Sequence, residues 1–110
     1  MKYGLSDNFI NEIKSVFETY QKVNEVIIFG SRAKGDFKTG SDIDLAIKGN
    51  EIRLDDILNL SLRLENITFP YKMDLINFQS IEDINVIEHI NNSGKVFYKR
   101  STKPLNVSET

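Results

Sequence analysis

Three aspartates and a glycine–serine step carry the residue types and the spacing that could do chemistry. Asp42 and Asp44 stand two apart in SDIDLAIK, ten residues after Gly30-Ser31, and Asp74 lies between Met73 and Leu75 in KMDLINF. On a strand, residues two apart project to the same face. Two carboxylates that close repel each other unless a cation sits between them. Hard oxygen donors suit Mg²⁺ or Mn²⁺, whose coordination is commonly completed by substrate phosphates. Asp74 sits in an apolar run, where an unpaired buried carboxylate would be expensive; a site shared with the Asp42–Asp44 pair accounts for it. Three such groups can hold two divalent ions roughly 3.5–4 Å apart, and one can take the proton of an attacking hydroxyl.

Gly30 and Ser31 supply the anion end of this constellation. Glycine lets the backbone approach a phosphate closely, N–H groups at a helix start point toward it, and the serine hydroxyl adds a donor. Arg32 is the expected cation for the triphosphate because of its fork geometry. Lys34 is a further candidate, whereas Lys38 reads as solvated surface. Other phosphate and metal motifs fail. Gly35 is followed by Asp36-Phe37 rather than Lys-Ser or Lys-Thr, no G-x-G-x-x-G is present, and the aspartate pair lacks the glycine and closing glutamate of a calcium loop. His89 reads as a helix residue without a second ligand, and Tyr3, Tyr20, Tyr71 and Tyr98 as packing residues, with Tyr71 close enough to the Asp74 strand to border a nucleotide.

The elements that must position these groups follow from the hydrophobic periodicity. Phe9, Ile10, Ile13, Val16, Phe17 and Tyr20 predict a helix capped by Ser6 or Asp7. Val26-Ile27-Ile28-Phe29 predicts a buried central strand ending at Gly30. Residues 42–48 predict a strand with Ile43, Leu45 and Ile47 on one face and Asp42, Asp44 and Ala46 on the other. The linker over 31–40 is too short for a parallel crossover, so these two strands should be antiparallel, with about one helical turn at 31–34 and turns at Gly35 and Gly40. A second helix runs from Leu54 toward Pro70, and residues 72–78 form a third strand. The last helix starts at a capping-box-like Ser80/Asp83 pair, buries Ile81, Ile84, Ile87 and Ile90, and ends at Gly94. Residues 96–98 add a short edge strand.

With 110 residues, the chain has room for one domain, assigned to residues 1–100, with a flexible tail over 101–110. A net charge of −2 provides no basic field, so direct nucleic-acid binding is not expected. There are no cysteines, hence no disulfide or zinc-thiolate site. No run reaches the length of a membrane span and no signal pattern opens the chain, so the expectation is a cytoplasmic protein without a membrane role.

The run GSRAKGDFKTGSDIDLAI, followed by Asp74, resembles the polymerase-β-like nucleotidyltransferase superfamily, and within it the minimal nucleotidyltransferases of the MNT or MntA-like antitoxin group. The resemblance implies an α+β fold, a small mixed sheet with helices packed mainly on one face. It assigns metal binding and catalysis to Asp42, Asp44 and Asp74, and triphosphate contact to Gly30 and Ser31. It implies two Mg²⁺ ions and ATP as substrate: a hydroxyl attacks the α-phosphate, and pyrophosphate leaves. It also implies a HEPN-family toxin as partner, carrying the tyrosine that accepts AMP. The short chain has no room for an acceptor-binding domain, which favours a protein acceptor. A non-catalytic nucleotide-binding module that neutralises its partner by complex formation, and a transferase acting on a small molecule, are the alternatives.

Overall fold

The computed structural model describes residues 1–101; the expected tail lies outside them except for Ser101. In chain order the elements are α1 (Asp7–Thr19), β1 (Val23–Phe29), a single helical turn α2 (Ser31–Lys34), β2 (Ile43–Gly49), α3 (Leu54–Thr68), β3 (Met73–Asn77), a short 3₁₀ turn (Phe78–Ser80), α4 (Ile84–Ser93) and β4 (Lys95–Lys99). The fold is mixed α+β. The strands form one sheet in the order β3-β2-β1-β4. β1 pairs antiparallel with β2 and with β4, and β2 pairs parallel with β3. The short linker after Gly30 therefore makes the antiparallel return its length predicts, turning at Gly35 (φ 88°) and Gly40 (φ 87°). The parallel step from β2 to β3 uses α3 as its crossover helix.

Two apolar layers flank the sheet. On one face Ile10, Ile13 and Phe17 of α1 and Ile57, Leu60 and Leu64 of α3 pack on Val26, Ile28, Ile43, Leu45, Ile47 and Phe97. On the other, α4 covers only part of the sheet, with Ile90 against Ile27 and Ala46. Ser6 caps α1 by accepting from the Phe9 N–H. Arg100 closes the other end of α1, donating to the carbonyls of Phe17, Glu18 and Tyr20 and to that of Val23. These orphan carbonyls at a helix C-terminus are where a cation is most useful.

Two expectations are corrected. The last helix buries only Ile90: Ile84 is 63% exposed, and Ile81 and Ile87 are half-buried. α4 covers a small area, so one turn of its stripe meets the sheet. Its cap is Asp83, accepting from the Asn85 N–H, and Ser80 belongs to the preceding 3₁₀ turn. Gly94 ends the helix in extended backbone, and glycine is required there because a Cβ would overlap the Ile90 carbonyl and sit 2.6 Å from Ile27 Cγ2. On α3, Leu54, Leu58 and Leu62 lie outside the core and are exposed.

Candidate active site

The partial cover by α4 leaves one end of its face of the sheet open, and the acidic residues lie there. Asp42 is exposed just before β2, and Asp44 is half-buried on its first turn of pleat. Asp44 is in register with Phe29 of β1 on one side and with Asp74 of β3 on the other. Registered partners of a parallel pair point to the same face, so Asp44 and Asp74 are neighbours, and Asp42, just before β2, lies close enough for its charge to act on Asp44. The starts of β2 and β3 are tied by the Ile43 N–H donating to the Lys72 carbonyl at 2.9 Å. Asp74 is exposed. Its apolar sequence neighbours suggested burial, but β3 is an edge strand of the sheet.

Gly30 closes the site from β1. It has φ 77° and ψ −157°, a region essentially restricted to glycine. A Cβ at this position would stand 2.5 Å from Asp44 Oδ2. The glycine is thus set by both backbone and contact, and the central carboxylate lies directly against it. Ser31 opens the one-turn helix that follows, whose first N–H groups have no intrahelical acceptor.

Asp44 holds its proton more tightly than an ordinary aspartate: burial is the main cause, followed by the negative charges of Asp74 and Asp42. This repulsion is what a bound cation would relieve. The donor set is all hard, anionic oxygen and fits a small divalent ion. Among the described residues, no three acidic or imidazole side chains are gathered closely enough to form a ready metal cage, so further oxygen ligands would have to come from substrate phosphates.

Arg32, expected to meet a triphosphate, lies inside the fold. Its side chain turns inward and is only 3% exposed. Nε donates to the Ser41 carbonyl at 3.0 Å and Nη1 to the Tyr3 carbonyl at 2.8 Å. Its Cζ lies 5.2 Å from the Phe37 ring centroid and 5.1 Å from that of Tyr71. With Nε and Nη1 bonded inside the fold and the side chain buried, Arg32 does not extend over the open carboxylates. Lys34 and Lys38 are exposed, as is His89. Tyr71 packs on Arg32 and on Phe9.

A second polar cluster escaped the sequence reading. Asp56 accepts from Tyr20 Oη at 2.6 Å, Lys22 Nζ at 2.7 Å and the Arg53 N–H at 2.8 Å, and these bonds, that of Lys22 first, lower its pKa to about 2. It lies at the start of α3, away from the open face, and fastens α3 to the α1–β1 connection. Its side-chain partners Lys22 and Tyr20 are 34 and 36 residues away in sequence, a separation that leaves no local signal.

Residues 11–103 match the family described as polymerase beta, nucleotidyltransferase. The chain belongs to this family. Among its relatives, "Putative protein adenylyltransferase MJ0604" of Methanocaldococcus jannaschii is 36% identical over 56 residues, 51% of this chain and 53% of that protein. The match thus spans about half the length of the curated relative. Two solved structures share the nucleotidyltransferase fold. One is a toxin–antitoxin with AMP-PNP (TM-score 0.67, 21% identity, 87% of this chain and 75% of that one). The other is a tri-AMPylated Shewanella oneidensis HEPN toxin in complex with MNT antitoxin (TM-score 0.66, 17% identity, 87% and 74%). Among the described residues, no helix of this family member is long and apolar enough to cross a membrane.

Proposed function

We propose that the protein transfers AMP from ATP to a tyrosine hydroxyl of a HEPN toxin partner, acting as the antitoxin of the pair. The observation that carries the reading is the placement of Asp44 and Asp74 side by side on one open sheet face, with Asp42 just before β2 and Gly30 packed against the Asp44 carboxylate. The nucleotidyltransferase family of the chain supports the reaction class. The relative named "Putative protein adenylyltransferase MJ0604" supports AMP, and the toxin–antitoxin complexes that share the fold support the partner.

In this reading Asp42, Asp44 and Asp74 would hold Mg²⁺. When bound, the metal supplies positive charge to the phosphates and offsets the charge developing in transfer. Gly30 leaves room for the triphosphate beside β1, and the first turn of α2 presents Ser31 to it. Asp74, exposed on the edge strand, stands where an acceptor can approach from outside. Its carboxylate takes the proton of the attacking hydroxyl as the new O–P bond forms at the α-phosphorus and pyrophosphate leaves.

The test is incubation of the chain with α-labelled ATP, Mg²⁺ and its co-encoded neighbour. Label on a tyrosine of the neighbour, lost in Asp42→Asn, is the expected result. Tight complex formation and toxin neutralisation without label under any nucleotide would replace the transferase with a binding module.

A further inference from the structure

The Arg32 guanidinium touches each chain segment that carries a residue of the site. Arg32 itself follows Ser31. Its Nε holds the carbonyl of Ser41, the residue before Asp42. Its Cζ lies over Tyr71, three residues before Asp74. Phe37, midway along the linker, covers the guanidinium as well. Among the described residues no carboxylate pairs with this buried cation, so two carbonyls and two ring faces meet its charge. A lysine ammonium could not span the same set, because it lacks the planar fork.

The remaining contact comes from the N-terminal turn. Lys2 and Leu5 exchange backbone hydrogen bonds, and the two residues between them, Tyr3 (φ 58°) and Gly4 (φ 73°), are both left-handed. This turn delivers the Tyr3 carbonyl to Arg32 Nη1. A Cβ on Gly4 would press into the Phe37 ring and lie 3.0 Å from that nitrogen. The turn is therefore fitted to the guanidinium and its ring cover.

From these contacts we infer that Arg32 is a positioning residue that fixes the relative placement of Ser31, Asp42 and Asp74 from inside the fold, rather than a contact for the triphosphate. The inference concerns the site on which the transfer reading rests, but its test does not depend on transfer. Amide NMR spectra of the full chain, recorded well below the unfolding transition, are compared for wild type, Arg32→Lys, Arg32→Met and Phe37→Ala, together with calorimetric binding of AMP-PNP in the presence of Mn²⁺.

Positioning predicts that Arg32→Lys and Arg32→Met both shift the amides of Ser31, Asp42 and Asp74 and weaken binding by about tenfold or more, since small misplacements in such sites are costly. Phe37→Ala, which removes no charge, should move the same amides, and its effect should be non-additive with that of Arg32→Met. Arg32→Lys retaining affinity within about threefold of wild type would return Arg32 to a charge contact with phosphate. A lowered melting temperature with the Asp42 and Asp74 amides unmoved would reduce it to general packing. If wild type binds no AMP-PNP, the nucleotide reading fails, and the amide shifts still decide the positioning.

Discussion

Replacing Gly30 by alanine separates two costs that coincide at this residue, and Gly35→Ala supplies the control. Both glycines have positive φ, 77° and 88°, so alanine strains the backbone at each. Gly35 is in the ordinary left-handed region (ψ 3°), where the penalty is about 1 kcal/mol, and its added Cβ meets nothing within 4 Å. Gly30 lies in the glycine-only region, at about 1–3 kcal/mol, and its Cβ would stand 2.5 Å from Asp44 Oδ2. Restoring a normal van der Waals separation moves that carboxylate by about 1 Å. For a domain of this size each kcal/mol lowers Tm by about 4–8 °C. A reacting group displaced by about 1 Å costs about a hundredfold in rate. Thermal melts should show Gly30→Ala destabilised at least as much as Gly35→Ala. Transfer assays at a temperature where both are folded should show the hundredfold loss in Gly30→Ala alone, with Gly35→Ala within about threefold of wild type. Equal activity in the two variants would refute the reasoning that the β1 glycine sets the Asp44 carboxylate.

Asp44→Asn should raise the Tm of the metal-free protein while cutting transfer by about a hundredfold or more. Its folded pKa is raised, so the native state loses stability as pH rises through that pKa, and the amide removes the penalty; a lowered Tm would contradict this. Asp56→Asn should cost about 1–2 kcal/mol at neutral pH through its hydrogen bonds and cap, with little from the ion pair to the exposed Lys22. Because the folded pKa of about 2 lies below the ordinary aspartate value of 3.8, this contribution is full above 3.8 and fades as pH falls toward 2. The gap between variant and wild-type melts should narrow over that window. Arg100→Ala should destabilise by about 2 kcal/mol by uncapping α1, leaving transfer unchanged in assays below the transition.

The elements around the site were legible because each rests on a local rule. The short linker after Gly30 forces an antiparallel return, and strand alternation puts Asp44 on the face opposite the core. The same rule placed Ile43, Leu45 and Ile47 in the core. What was not legible depends on which elements meet. Asp74 is exposed because β3 is an edge strand, a fact its apolar neighbours do not encode. Ile84 is exposed because α4 spans only part of the sheet. Arg32 reads locally as a surface cation beside a phosphate turn, and only the convergence of Tyr3, Phe37, Ser41 and Tyr71 turns it inward.

The most direct test of the central claim is anomalous diffraction at the manganese edge from crystals grown with AMP-PNP and Mn²⁺. The account predicts manganese peaks bounded by Asp42, Asp44 and Asp74, with the triphosphate running past Gly30 and Ser31. Nucleotide bound elsewhere, or bound there without manganese at these carboxylates, would contradict it.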